Sequence, residues 1–419
     1  MILFLSTNDT LGGAATVTFR LVEELRRRGT DARMLVARKD SDAEWVAKVS
    51  PMAHMTAKIA ERAEILISRR FDTKGLWKVS TGRFGARVSS HPWVKEADTV
   101  ILGWINQGFV SLGDIRKITE EGKEIVWMMH DLWCATGICH LPGECTRFKA
   151  DCGECPLLDR AEYHNDLSRR VWRLKMALWG NADKCLIRFV AVSRWQRDEA
   201  AASRLLRDRE IDVLPHAFPV ENYPTAPCLD ALPHELEFLS AMPHGRKLIV
   251  MGAARLDDPV KDLPMAVKAL NRMAELHPET AADCEVVFFG DIRDSSVLDA
   301  LKVSWRHIGM MTSENLRQLY AAATVVLSTS RYETMGATLM EGMAAGATPV
   351  TFGRGGQTDI VTDGENGYIA SYGSADSVAD CLARALKAPF PRKEQHDSVA
   401  RRFSADAVAS RFLEIIARK

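Results

Sequence analysis

Short apolar runs alternate with stretches of helical period along this chain. Ile2 to Leu5 is a continuous apolar run and reads as a buried strand. A glycine-containing turn, Asn8 to Ala15, leads into a helix over Thr16 to Arg28, with Val17, Leu21, Val22 and Leu25 on one face. Gly29 ends that helix and Ala32 to Ala37 forms the next strand. Such a βαβ opening predicts a parallel sheet with crossover helices. Further strands are expected at Thr99 to Leu102, Glu124 to Met128 and Arg188 to Val192, and a helix over Lys58 to Arg70.

The second half repeats this grammar. Strands are expected at Lys247 to Ala253, Glu285 to Gly290, Val325 to Thr329 and Thr348 to Phe352. Helices are expected at Pro264 to Leu276, Ser313 to Ala322, Thr338 to Ala345 and Ser377 to Leu386. Between the halves, Pro219, Pro224, Pro227, Pro233 and Pro243 mark a linker. The fold class is therefore α/β, with two doubly wound Rossmann-like domains facing a cleft. Domains are expected at 1–218 and 246–400, with a linker at 219–245. A C-terminal helix over 401–419, with Val408, Phe412, Ile415 and Ile416 on one face, packs back on the first domain. Ligands in such sheets bind beyond the carboxyl ends of the strands.

Composition narrows the class. A chain of 419 residues exceeds one ordinary core. Lys and Arg number 55 and Asp and Glu 55, so no net charge draws the chain to nucleic acid. No apolar stretch is long enough to span a bilayer, and the start reads as a strand rather than a signal peptide. The expected location is cytoplasmic, or peripheral at the inner face of the membrane. The nine cysteines are then free thiols or metal ligands.

Candidate chemistry lies at strand ends. After Val325 to Thr329 come Glu333, Gly336 and Glu341, the last within the following helix. Gly336 lets the backbone approach a ligand, and a helix start is a seat for a pyrophosphate. Taken alone, the segment also fits two surface glutamates beside a tight turn. Arg255 and Lys261 follow the first strand of the second half, where two cations can neutralise a leaving diphosphate without a metal. A solvated pair of cations is the plain alternative.

The segment Ser330 to Val350 resembles the Glu-x7-Glu signature of the retaining, sucrose-synthase-like glycosyltransferases of family four, which have the GT-B fold. Gly252 to Leu263 resembles the same family's Gly-Arg-Leu…Lys-Gly element, with Asp262 in place of the final glycine. Met335 stands where an aromatic residue is usual, and Gly353, Gly355, Gly356 and Asp359 resemble the family's Gly-Gly-x-x-Glu loop. The resemblance implies transfer of a sugar from a nucleoside-diphosphate donor, UDP or GDP type, to a saccharide acceptor with retention. It implies catalytic roles for His130, Glu333, Arg255 and Lys261. It implies donor contacts at Gly12, Gly13, Gly309, Met310, Met335, Gly336, Ala337, Thr338, Leu339 and Glu341, and no cofactor for catalysis. A sugar-nucleotide epimerase of the same fold and a non-enzymatic sugar-nucleotide-binding protein are the alternatives.

His130 and Asp131 follow the strand Glu124 to Met128 and open an unusual segment that contains the cysteine-rich insertion 134–155. Cys139, Cys145, Cys152 and Cys155 form C-x5-C-x6-C-x2-C, a donor set for tetrahedral, structural zinc, with His140 as a further ligand candidate. An iron–sulfur cluster, disulfides and free thiols remain open. With His91 to Ile115, this segment resembles a bacterial branch of family four that assembles exopolysaccharide or O-antigen, although that branch has His-Trp where this chain has Gly103-Trp104. Lys58 to Arg70 combines Ile59, Ala63, Leu66 and Ile67 with Lys58, Arg62, Arg69 and Arg70, a pattern that fits peripheral membrane contact or ordinary packing.

Overall fold

The structure is a computed structural model of the chain, and it describes residues 1–158, 165–180 and 187–418. The chain divides into two compact units, Met1–Phe218 with Val408–Lys419, and Pro219–Ala407. The 219–245 stretch thus clusters with the second unit, where it forms short turns and a one-turn helix, Phe238–Ala241.

The first unit is built on β1 (Ile2–Asn8), β2 (Ala32–Arg38), β3 (Val46–Lys48), β4 (Thr99–Leu102), β5 (Glu124–Met129), β6 (Ile187–Ala191) and β7 (Ile211–Val213). Their order is β3-β2-β1-β4-β5-β6-β7, and all neighbours run parallel. The second unit carries β8 (Lys247–Arg255), β9 (Cys284–Asp291), β10 (Trp305–His307), β11 (Val325–Ser328), β12 (Thr348–Phe352) and β13 (Tyr368–Ala370), in the order β10-β9-β8-β11-β12-β13. These pairs are also parallel. Central strands are buried on both faces, so they read as apolar runs and not as alternation.

In each sheet the strand order reverses once, between β1 and β4 and between β8 and β11. At such a reversal the loops leave in opposite directions and open a crevice at the carboxyl ends. Short edge strands β3, β7, β10 and β13 close the sheets. The helix Leu167–Trp179 buries Val171 and Trp179 in the first core. The C-terminal helix, Ala405–Ala417, contributes Phe412 to the same core, with its ring 5.6 Å from that of Phe4.

Candidate functional site

The reversal in the second unit brings together loops that are far apart in sequence. After β8, the chain is tied to the loop after β11: the Arg331 amide donates to Val260 O at 2.8 Å, and Thr329 Oγ1 donates to Lys261 O at 3.0 Å. Asp262, in the left-handed region at φ 52°, starts the helix Leu263–Leu276 and pairs with Arg331 at 3.0 Å. This path delivers Lys261 Nζ to Glu333 Oε1 at 2.5 Å, and Ser330 Oγ donates to the same oxygen at 2.8 Å.

Glu333 is also held through its backbone. The Gly356 amide donates to Glu333 O at 2.7 Å. A Cβ on Gly355 would stand 2.6 Å from Glu333 N, and one on Gly356 only 2.1 Å from Thr334 O. The glycine loop therefore fits because it has no side chains. Buried Gln357 fastens it, accepting from Ser328 Oγ at 2.9 Å and donating to Arg354 O at 2.9 Å.

Beyond Glu333 the chain turns at Gly336, φ 98°, into the helix Ala337–Ala344, whose start no side chain caps. Ala337 is exposed, Thr338 half-buried, and Met335 and Leu339 are buried. Glu341 sits within the helix beside Tyr320; burial and then the Glu341 carboxylate push that phenol well above its usual value. Arg255 leaves the end of β8 and pairs with Asp257 at 3.0 Å. Gly309, φ 70°, accepts from the Gly290 amide at 2.7 Å, and Met310 beside it is 65% exposed. Lys261, Glu333 and Gly336 thus share one loop cluster, whereas Arg255 is turned to its own loop.

The first unit holds a pocket of about 290 Å³ at its own reversal, lined by Ser6, Asn8, Gly12, Gly13, Trp104, His130 and Asp131. Gly12 (φ 94°) and Gly13 start the helix Gly13–Arg27, and a Cβ on either would meet only open space. Asp131 accepts from Trp104 Nε1 at 2.8 Å and from the Trp133 amide at 2.8 Å, and contacts His140 Nδ1 at 2.6 Å. Burial alone would raise its pKa; His140 and these donors outweigh it, and the net shift is downward.

His130 has both ring nitrogens engaged, Nε2 with Thr18 Oγ1 at 3.1 Å and Nδ1 with His216 Nε2 at 3.3 Å. Thr18 already donates to Ala14 O at 2.8 Å, so its oxygen accepts from His130 Nε2–H. His130 Nδ1 then accepts from His216 Nε2–H. Burial pushes His130 down to about 4, against the opposing pull of Asp131, and His216 down to about 3. Sequence reasoning passed over Thr18 and His216. No sequence pattern marked His216, because the strand before it, Ile211–Val213, is only three residues long and contains Asp212.

Cys139, Cys145, Cys152 and Cys155 line one small cavity. All described cysteines are free thiols; Cys185 lies outside the described residues. Among the described residues no three of His, Cys, Asp or Glu stand at metal-holding positions as drawn. His140 is committed to Asp131 and to Ser80 Oγ at 3.1 Å, which removes it as a ligand candidate.

The helix read as Lys58 to Arg70 runs from Pro51 to Ser68, started by Ser50 and by Pro51 in its first turn. Two of its presumed surface cations turn inward: Arg62 donates to Leu76 O and Val79 O, and Arg69, 8% exposed, pairs with Asp72. No described helix is long and apolar enough to cross a membrane.

The two parallel sheets define the class: the fold is that of the GT-B glycosyltransferase structures. Sucrose-phosphate synthase from Thermosynechococcus elongatus aligns over 100% of this chain and 98% of its own, with a TM-score of 0.61 at 16% identity. Anabaena HepE in complex with UDP aligns over 100% of both chains with a TM-score of 0.60 at 15% identity. WaaG, a glycosyltransferase involved in lipopolysaccharide biosynthesis, does so with a TM-score of 0.58 at 14% identity. In sequence, residues 246–388 match the family described as glycosyl transferases group 1. Glycogen synthase of Xanthomonas campestris pv. campestris is 28% identical over 127 residues, 29% of this chain and 27% of that protein. An uncharacterized glycosyltransferase of Methanocaldococcus jannaschii is 29% identical over 130 residues, 30% of this chain and 33% of its own length. The match thus spans about a third or less of these curated relatives.

Proposed function

We propose that this chain is a glycosyltransferase that moves a sugar from a nucleoside-diphosphate sugar, of UDP or GDP type, to a hydroxyl of a saccharide acceptor. One observation carries the reading: Lys261 and Glu333, from two different strand ends, meet at 2.5 Å beside an uncapped helix start. The bond from the anomeric carbon breaks toward the diphosphate, whose oxygen keeps the electron pair. Lys261, Arg255 and the amides after Gly336 stabilise that charge. Glu333 accepts hydrogen bonds from the transferred sugar, and Glu341 from the ribose. His130 and the glycine turn of the first unit contact sugar hydroxyls. The match of residues 246–388 to group 1 glycosyl transferases supports this reading.

Transfer proceeds with retention, by same-face attack assisted by the leaving phosphate, so no covalent residue is assigned. The acceptor belongs to bacterial surface polysaccharide and is lipid-linked, which places the enzyme at the inner face of the membrane. The exposed apolar residues Met52, Met55, Ile59 and Ile67 on the helix Pro51–Ser68 support that contact. The test is a panel of UDP- and GDP-sugars in thermal-shift and donor-turnover assays. One donor stabilises the chain and is consumed, and Glu333→Gln abolishes the consumption. No shift and no turnover with any of them overturns the assignment. An inverted anomeric centre in the product overturns retention alone.

A further inference from the structure

We infer that Cys139, Cys145, Cys152 and Cys155 form a tetrathiolate site for one zinc ion, which pins the long connection after β5 and, through it, the pocket carboxylate Asp131. The connection between β5 and the helix Leu167–Trp179 is long, and its described residues carry little regular structure beyond the short turns Trp133–Ala135 and Arg147–Lys149. Long irregular segments of this kind need something other than a backbone ladder to hold them. Here the four cysteines, spread along the segment, line a single cavity, with Ile138, Pro142, Phe148 and Pro156 among its apolar walls. Four thiols on one small cavity suit a single tetrahedral ion.

The local backbone is shaped to present sulfur. Glu154 sits at φ 48°, a region that side chains rarely adopt, and Gly153 at φ 159° precedes it. This turn sets Cys152 and Cys155 on one cavity, as a chelating C-x2-C pair requires. The Gly137 amide donates to Cys152 Sγ at 3.2 Å. A Cβ on Gly137 would lie 3.2 Å from that sulfur and 2.6 Å from Ser168 O, so only glycine lets the amide approach. Amide-to-sulfur bonds delocalise thiolate charge and belong to the outer shell of such sites.

Lys175 ties the start of the segment in place. Lys175 is wholly buried, donates to Trp133 O at 2.6 Å and Thr136 O at 3.1 Å, and lies 3.4 Å from the centre of the Trp133 ring. No carboxylate among the described residues pairs with it. Loading releases the four thiol protons to solvent, and rotation of the side chains about Cα–Cβ draws the sulfurs in to the ion.

The link to the pocket is short. Cys139 precedes His140, whose carbonyl accepts from the Leu132 amide at 2.8 Å and whose ring meets Asp131 at 2.6 Å. Holding Cys139 therefore holds the histidine that fixes Asp131.

The experiment measures metal in the full chain, purified without affinity metals, by elemental mass spectrometry. About one equivalent of zinc and no iron is expected, released by a thiol-modifying reagent. The double variant Cys152→Ser/Cys155→Ser should lose it, while Cys228→Ser, at an exposed cysteine of the second unit, keeps it. Should the double variant not fold, cobalt added to metal-stripped wild type decides: thiolate-to-cobalt charge transfer with tetrahedral ligand-field bands supports the site. Iron with a visible chromophore, a mass showing disulfides, or wild type that holds neither zinc nor cobalt overturns it.

Discussion

Lys261 Nζ lies 2.5 Å from Glu333 Oε1, and the two side chains reach each other from loops on opposite sides of the β8/β11 reversal. Each is about a quarter exposed or less, so the pair faces a partly dry crevice. On the proposed reading, a diphosphate bound here would compete with Glu333 for the lysine and free the carboxylate for sugar hydroxyls. Lys261→Ala is expected to lower kcat/KM for the donor by about a hundredfold or more, the scale of removing one charge-stabilising group. Glu333→Gln should act on the same step. Steady-state kinetics of both and of the double variant check this: the two losses should be far from additive, because the residues share a partner. Additive losses would separate them.

The glycine loop opposite makes a second claim. Gly356→Ala places a methyl 2.1 Å from Thr334 O, so the Glu333 loop must move even though the core is untouched. Nucleotide-sugar affinity is expected to fall at least tenfold, with a loss of stability of about 1–3 kcal/mol from overpacking. Calorimetric titration and urea unfolding measure the two. Gly113→Ala, whose new Cβ would meet only Ser111 Oγ at 3.5 Å, should leave affinity unchanged.

The central strands were legible because parallel strands buried on both faces keep an apolar run, and Thr99–Leu102 and Thr348–Phe352 were read to the residue. The edge strands β3, β7, β10 and β13 were not. Each has three residues, too few for any period to show. The helix start at Pro51 was missed because Met52, Met55 and Ile59 point outward and mask the buried face of Ala57, Glu61 and Ile65. In the site, Glu333 and Lys261 were visible as charges at strand ends, but their mutual contact was not, since it depends on the Asp262 and Gly356 backbone. The engagement of His130 with Thr18 and His216 was equally hidden, because it joins positions 112 and 86 residues away.

That histidine pair makes stability depend on pH. Burial holds His130 at about 4 and His216 at about 3, against 6.5 for an exposed imidazole. Above the unfolded value both are neutral in either state. As pH falls below it, the unfolded chain binds protons that the folded chain refuses, so stability declines. The decline levels off once the folded pKa values are passed. At about pH 5, His130 alone should remove about 2 kcal/mol relative to neutral pH. Urea midpoints across this range measure the loss, and His130→Gln should flatten part of the slope. An unchanged slope in that variant would assign the dependence to other groups.

The helix Pro51–Ser68 supports the last prediction. Its inward face carries Ala57, Glu61 and Ile65, while Met52 (78% exposed), Met55, Ile59 and Ile67 fall on the opposite face at helical spacing. Phe71 and Trp77, both more than half exposed, extend the apolar surface beyond the helix, and Lys58 lies over the Trp77 ring. With Arg62 and Arg69 turned inward, the apolar residues and not a basic face must supply most of any membrane affinity. Inserting one such side chain contributes about 1.5–3 kcal/mol. Ile59→Ser/Ile67→Ser should therefore reduce co-sedimentation with anionic vesicles by tenfold or more, while raising salt should weaken wild-type binding only modestly. Because both positions are solvent-exposed, unfolding midpoints and turnover of a soluble donor should stay near wild type. Vesicle binding that survives the double substitution, or that vanishes with salt alone, would move the contact to another part of the surface.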